Sequence, residues 1–379
     1  MLVITFPGNL VSGQMTIVSN GRATLHDLQM LRAVAAILVV IDHSAEQVVG
    51  WSGSPIWIKE FGWFLGEQGV ALFFVISGFI MSYTSDEFGS VDAARRFLLR
   101  RIVRVVPLYW FFTLLVVALM VGAARFDGRS IDYENILYSL FFIPFGDAPM
   151  RPVLGPGWTL NFEMIFYAIF ASAMILTRSK GHLFVAFSLT GAVLAGRILF
   201  GEMTGDAGAT PLAFILSPYL LLFLAGMAAG YFRLQIRTGR PTLIVVMALS
   251  LQAALFVALM PDYTTPLWRA VFWTSDFFMV LICLSGLSEP AARKPLAIME
   301  KLGKASYSLY LSHIFIVHLV AAVWRSSLGQ EHPAAYIATT LLIACAVSLF
   351  VFRFVERPLH KLALFAIASR QGQLPRVAG

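Results

Sequence analysis

The sequence predicts an all-α, polytopic integral membrane helix bundle of about ten transmembrane helices with both termini cytoplasmic, and three observations point to it. Of its 379 residues 58% are hydrophobic and 13% charged, about half the charged share of an average soluble domain. The apolar residues gather into runs long enough to cross a bilayer, separated by short polar breaks. Lysine and arginine crowd alternate breaks, the pattern that sorts loops between two sides of a membrane. A mean hydropathy of +0.77 leaves no soluble core that could bury this much apolar surface.

In chain order, spans are expected at 28–49, 65–84, 105–124, 158–177, 183–200, 212–232, 242–260, 267–287, 305–324 and 334–355. Residues 1–27 read as a cytoplasmic N-terminal tail, because they lack the long apolar core and small-residue cleavage site of a signal peptide. Residues 28–359 form the transmembrane domain and 360–379 a cytoplasmic C-terminal tail. The apolar stretch 136–145 is too short to cross, so it should lie in the interface or fold back into the bundle. With the N-terminus inside, twenty Lys and Arg fall on inner segments and seven on outer ones, and Arg32 within the first span completes the 28. That asymmetry sets the orientation and requires an even number of spans. The formal charge of +7 therefore records topology and implies no nucleic-acid partner. Cys283 and Cys345 sit in apolar runs, which argues against a disulfide framework or a thiolate metal site, and no metal is expected. Such a chain has no room for a separate soluble catalytic domain, so its chemistry must be built between helices.

Three charged groupings stand out. Arg32 and His43 in LRAVAAILVVIDHSAE are eleven residues apart, three helical turns plus about 20°, so both project from one face with a rise of about 16 Å between them. Glu46 shares that face and can orient the imidazole; Asp42 points about 100° away. Ionisable residues within a span are costly and commonly line a functional path, which favours a functional reading over Arg32 merely snorkelling to the interface or both groups being satisfied by neighbouring helices. Arg101 and Arg104, one turn apart where the chain re-enters the membrane, suit a phosphate grip; inner-side arginines also serve simply as topology anchors. In GPGWTLNFEMIFY, Gly155, Pro156 and Gly157 form a turn, Trp158 suits the interfacial belt, and Glu163 enters the apolar zone at a depth comparable with His43. A buried carboxylate and an imidazole at one depth could form an acid/base pair; the plainer alternative is a carboxylate paired with an outer arginine. His313 and His318, five apart, do not share a helix face, which argues against a metal pair. Asp276 and Arg197 read as structural partners. No dinucleotide, P-loop, zinc-protease or serine-hydrolase motif is present.

Taken in order, the blocks LRAVAAILVVIDH, GVALFFVISGFIMSY, RRIVRVVPLYW, GPGWTLNFEMIFY, KASYSLYLSHIFIVHL and FRFVERPL resemble the acyltransferase-3 family of integral-membrane acyltransferases, in particular its exopolysaccharide O-acetyltransferase branch. The resemblance covers about Leu28 to Leu359. It places the family's Arg-x10-His motif on Arg32 and His43, its Arg-x-x-Arg motif on Arg101 and Arg104, and its Trp…Glu motif on Trp158 and Glu163. Ser77 and Gly78 fall in the Phe-Phe-Val-Ile-Ser-Gly-Phe signature, where they allow close helix approach, and Ser306, Tyr307, Tyr310 and His313 match a late block of unassigned role. Where many relatives read Ser-x-x-Glu-Glu-Gln-Phe-Tyr, this chain has Asn161, Phe162, Glu163, Met164 and Ile165 before Phe166 and Tyr167, a departure that favours the exopolysaccharide branch.

The resemblance implies transfer of an acyl group, acetyl by preference, from cytoplasmic acyl-coenzyme A to a hydroxyl of a cell-surface or exopolysaccharide sugar at the inner membrane. The donor is a substrate, and no permanently bound cofactor is implied. The implied acceptor is a saccharide, free or lipid-linked, and membrane lipids and exopolysaccharide assembly proteins are the expected surroundings. On this reading Arg32, Arg101 and Arg104 bind the donor, His43 and Glu163 are catalytic, and Trp158 and Asn161 bind substrate. His43 would deprotonate the hydroxyl or transiently accept the acyl group. One continuous cavity should then join the arginines to His43. The rival reading is a transporter or flippase for a sugar or lipid-linked glycan, in which the same polar residues line a path; a non-catalytic scaffold would leave His43 and Glu163 unexplained.

Overall fold

The computed structural model describes residues 20–55, 57–85, 88–127, 130–144, 152–177, 180–201, 210–232 and 297–370. Among these every regular element is helical. Eight helical segments are long and apolar enough to cross a membrane, from Leu28–Gln47 to Pro333–Ile367. They match eight of the ten expected spans; the other two, 242–260 and 267–287, lie outside the described residues.

The bundle is organised around α2 (Ile58–Thr84), which packs most extensively against α1 (Asn20–Gln47) on one side and α8 (Leu220–Phe232) on the other. Missing side chains make this possible. A Cβ on Gly62 would lie 2.6 Å from that of Ala45, and one on Gly69 would lie 2.5 Å from the Ala35 carbonyl. On the opposite side a Cβ on Gly78 would overlap the Phe223 carbonyl, and one on Gly226 the Val75 carbonyl. Close backbone approach through small residues is how membrane helices associate when lipid offers no hydrophobic drive. Phe74, Phe162, Phe166, Phe214, Tyr219 and Phe223 interlock where α2, α5 (Trp158–Leu176) and α8 meet. Leu119, Phe187, Ile198 and Leu342 project outward as lipid-facing side chains.

Two helices begin earlier than the apolar runs suggest. α3 (Val91–Asp127) is one continuous helix that already contains the arginine-rich segment expected as a loop, and Pro107 sits inside it. Ala, Leu and Arg are strong helix formers, and long cationic side chains can reach the interface from helical positions. α2 likewise takes in Lys59 and Glu60. Hydropathy locates where a chain meets lipid, whereas helix continues as far as backbone bonding allows.

The connection from α3 to α5 folds back into the bundle. The short α4 (Tyr133–Leu140), within the stretch expected not to cross, leans on α3 through the Tyr109 hydroxyl donating to Ser139 O (3.1 Å) and Trp110 Nε1 donating to Leu140 O (2.8 Å). Leu154, Pro156 and Gly157 are buried, and the turn Gly155–Gly157 leads directly into α5. Gly89 and Ser90 donate to Met174 O and bring the α2–α3 connection to the far end of α5. α6 (Gly181–Phe200) and α7 (Pro211–Ile215) flank this core.

Towards the C-terminus come α9 (Ala297–Lys304), α10 (Ser306–Ser327), α11 (Pro333–Val351), a π turn at Phe352–Glu356 and α12 (Arg357–Arg370). α10 packs on α1 and α11. Helix α12 runs on through most of the stretch read from sequence as a tail.

Candidate active site

Four elements deliver polar side chains into one internal cavity. α1 contributes Arg32, α3 contributes Arg101 and Arg104, α5 contributes Thr159, Glu163 and Tyr167, and α10 contributes Tyr307 and Tyr310; Ser77 of α2 completes the polar lining. The α5 residues recur at four-residue steps and so share a helix face, while Phe162, Phe166 and Phe170 turn into the aromatic core. The free space is about 100 Å³. By the same measure a cavity of roughly 150 Å³ takes a benzene molecule. A phosphate or the end of a short thioester therefore fits, and a nucleoside does not.

The lining is rich in uncommitted positive charge. Among the described residues none of Arg32, Arg101 and Arg104 forms an ion pair or a side-chain hydrogen bond, and the buried Nε of Arg101 has no partner. The Arg101 guanidinium lies over the rings of Phe97 (5.6 Å) and Tyr167 (5.9 Å), an arrangement its planar head permits and a lysine would not reproduce. Glu163 accepts hydrogen bonds from Ser77 Oγ (3.3 Å) and from the Tyr167 hydroxyl. A second carboxylate, Glu356, accepts from Ser308 Oγ at 2.5 Å and acts on Arg32 and Arg104 through its charge. Three guanidiniums against two carboxylates leave a formal surplus of one positive charge, a setting prepared for an anion.

This geometry corrects the expected depth of Glu163. Helices α1 and α2 are antiparallel, with Gly69 opposite Ala35 and Val39. Eight residues further along α2, Ser77 therefore faces the turn of Leu31 and Arg32, and Glu163 is bonded to Ser77. The carboxylate lies at the level of Arg32, about 16 Å along α1 from the level of His43. Counting inward from a surface start misplaced it, because the buried turn Gly155–Gly157 starts α5 well inside the bundle. Glu163 and His43 are not brought together as an acid/base pair. Trp158 also departs from expectation: it packs against Phe162 (6.0 Å) and Tyr219 (5.4 Å) in the aromatic core, away from any interfacial belt. Neither Trp158 nor Asn161 lines the cavity; Asn161 is buried, and its Oδ1 has no hydrogen-bond partner among the described residues.

His43 does not line the cavity either, so the described residues show no continuous passage from the arginines to the imidazole. Its side chain is 29% exposed, its Nδ1 lies 3.5 Å from Glu46 Oε2, and its ring stacks on that of His313 at 5.1 Å and 25°. Tyr310 stands between. Its ring forms part of the cavity wall, its hydroxyl bonds Thr159 Oγ1 (2.8 Å) and donates to Pro156 O (2.8 Å), and its backbone carbonyl lies 2.7 Å from His313 Nδ1. The re-entrant turn thus latches onto α10 at the boundary between the arginine cavity and the imidazoles.

Glu356 escaped the sequence-based reading, and Tyr307 entered it only within a block of unassigned role. The signal for Glu356 was present in FRFVERPL, but a regular helix gives no reason to turn it inward; the π turn adds the residue that rotates it to face Ser308. The Tyr307 hydroxyl donates to Val105 O (2.7 Å), which joins α10 to α3 beside the arginines.

Residues 25–353 match the profile of a family described as an acyltransferase domain. That span covers most of the chain and all the cavity residues on α1, α2, α3, α5 and α10. The chain belongs to the acyltransferase-3 family. This acyltransferase is 35% identical to the exopolysaccharide production protein ExoZ of Rhizobium meliloti (strain 1021), over 78% of this chain and 90% of that protein. It is 27% identical to a Komagataeibacter xylinus protein provisionally named as the membrane-bound transacylase BcsY, over 87% of this chain and 82% of its relative. A Staphylococcus aureus (strain MRSA252) protein provisionally named as an O-acetyltransferase is 22% identical over 92% of this chain and 59% of its own length. No solved structure matches. Membership makes the protein an enzyme that transfers acyl groups, and the transporter reading has no comparable support.

Proposed function

We propose that this acyltransferase moves a short acyl group, acetyl by preference, from acyl-coenzyme A to a hydroxyl of an exopolysaccharide sugar at the inner membrane. The observation that carries the donor half is the cavity with three guanidiniums and no ion pair to any of them among the described residues. Arg32, Arg101 and Arg104 grip the donor's phosphates, and the small free space leaves the nucleoside outside, towards the surface with most Lys and Arg. The same small space favours a short acyl chain. The name of ExoZ, an exopolysaccharide production protein, supports the acceptor class.

His43 performs the transfer. Its Nδ1 faces Glu46, so Nε2 is the nitrogen available to the reacting groups. The sugar hydroxyl gives its proton to His43 Nε2 as its oxygen bonds the acyl carbonyl carbon; the carbon–sulfur bond breaks, and the coenzyme thiolate leaves. If His43 first carries the acyl group, the same bonds exchange in two steps, and thiol release then precedes addition of the acceptor. Either form requires Tyr310 to release Thr159 and Pro156, opening the way from the cavity to the imidazole. Glu163 balances the arginine cluster, and Trp158 with Asn161 shapes the wall behind it, a supporting part in substrate binding.

The test is purified protein in lipid nanodiscs with labelled acetyl-coenzyme A and lipid-linked exopolysaccharide oligosaccharides. Label in a hydroxylamine-labile ester on the saccharide is the expected result. Free thiol without acylated saccharide across a panel of glycans would overturn the acceptor assignment, and no donor consumption at all would overturn the donor.

A further inference from the structure

His313 is a buried imidazole to which the proposed reaction gives no task. It has no exposed surface, and α10 carries it against α1, where its ring lies on that of His43 at 5.1 Å and 25°. Its Nδ1 is 2.7 Å from the Tyr310 carbonyl, so Nδ1 carries the hydrogen and donates, which fixes the rotation of the ring. Nε2 is then a bare lone pair, buried and without a hydrogen-bond partner among the described residues. A leucine or phenylalanine would fill this space without stranding a polar atom, so packing alone does not account for a histidine here.

His43, by contrast, is loosely held. Among the described residues, apart from Glu46 at the 3.5 Å limit of a hydrogen bond, the ring of His313 is the partner that meets it. His313 is held from behind by Tyr310, whose hydroxyl is fastened to Thr159 and Pro156 and whose ring walls the arginine cavity. A chain of contacts therefore runs from the donor cavity through Tyr310 and His313 to the face of His43, and its link to His313 is a backbone carbonyl that stays in place when the Tyr310 side chain releases Thr159 and Pro156.

We propose that His313 is the positioning residue for His43: its backbone-locked ring sets the plane of the His43 imidazole and supports, with its neutral π face, the positive charge that His43 acquires when it takes the hydroxyl proton. This rests on the acyl-transfer reading for its kinetic consequence and on geometry alone for the ring placement. Misplacing a reacting group by about 1 Å costs on the order of a hundredfold in rate.

The experiment compares wild type, His313→Phe and His313→Leu as full-length protein in nanodiscs, with two readouts. The first is the rate at which diethyl pyrocarbonate modifies His43, followed by peptide mass spectrometry. The second is kcat and the donor KM for ester formation. Phenylalanine keeps a ring face but loses the bond to Tyr310 O; leucine loses both. The leucine variant should modify at His43 several-fold differently from wild type and fall about a hundredfold in kcat, with donor KM within about threefold because the arginine cavity is untouched. The phenylalanine variant should fall between, at least about tenfold above leucine in kcat. Should leucine misfold, as judged by loss of donor binding, phenylalanine against tyrosine and asparagine carries the same comparison, with the aromatic pair again the more active. Equal modification rates and equal kcat across the series would overturn the proposal, as would phenylalanine performing no better than leucine. A modification series in the expected order with no ester formed by wild type would instead sink the acyl-transfer reading and leave the placement of the ring standing.

Discussion

Replacing Arg101 and Arg104 with glutamine, singly and together, probes the arginine cavity most directly. The two guanidiniums sit one helical turn apart on α3 and face the same space, and among the described residues neither is neutralised by an ion pair. Each is therefore free to bond a donor phosphate directly, while Glu163 and Glu356 offset part of the cluster's charge. A hydrogen bond to a charged group contributes about 1.5–3 kcal/mol, which corresponds to about 10- to 150-fold in donor Kd for each arginine. Because both face one small cavity, the double variant should lose less than the sum of the single losses. Equilibrium binding of labelled acetyl-coenzyme A to nanodisc-embedded protein at low and high salt measures this, and the variants should also show a shallower salt dependence. A donor Kd within about threefold of wild type in both single variants would return these arginines to the part of topology anchors.

Three further outcomes are expected. His43→Ala should abolish ester formation while donor binding persists, since the imidazole is outside the arginine cavity; near-wild-type turnover would remove His43 from the chemistry. Glu163→Gln keeps an oxygen that can accept from Ser77 and Tyr167 but deletes one of two negative charges at the cavity, so donor affinity should rise by a few fold at low salt, and a clear fall in affinity would contradict the charge balance described. Gly226→Val forces a side chain into the Val75 carbonyl of α2, which should lower stability by about 1–3 kcal/mol or more in a thermal unfolding assay; unchanged stability would mean that α2 and α8 are not in the contact described.

Much of the site could be named before any coordinates, though not assembled. Arg32 and His43 are legible as a pair because helical periodicity is local, and Arg101 with Arg104 for the same reason. Glu163 was legible as a buried carboxylate but not at its true depth, since that depends on the turn Gly155–Gly157 folding back inside the bundle and latching to Tyr310. Glu356 was invisible as a site residue because its orientation depends on one π turn. His313 could be discounted as half of a metal pair, but its place against His43 depends on how α10 meets α1.

By itself the sequence determined the solvent, the helical class, the eight spans that can be compared, and the kinds of side chain available for anion binding and proton transfer. These follow from composition and short-range periodicity, which act along one helix at a time. Tertiary structure alone decided which charges share a cavity, that Tyr310 stands between the arginines and the imidazoles, and that His43 rests on His313. Those relations join residues on different helices, far apart along the chain, and they turn on glycine-mediated approach and one re-entrant turn, which no pattern within a single span encodes.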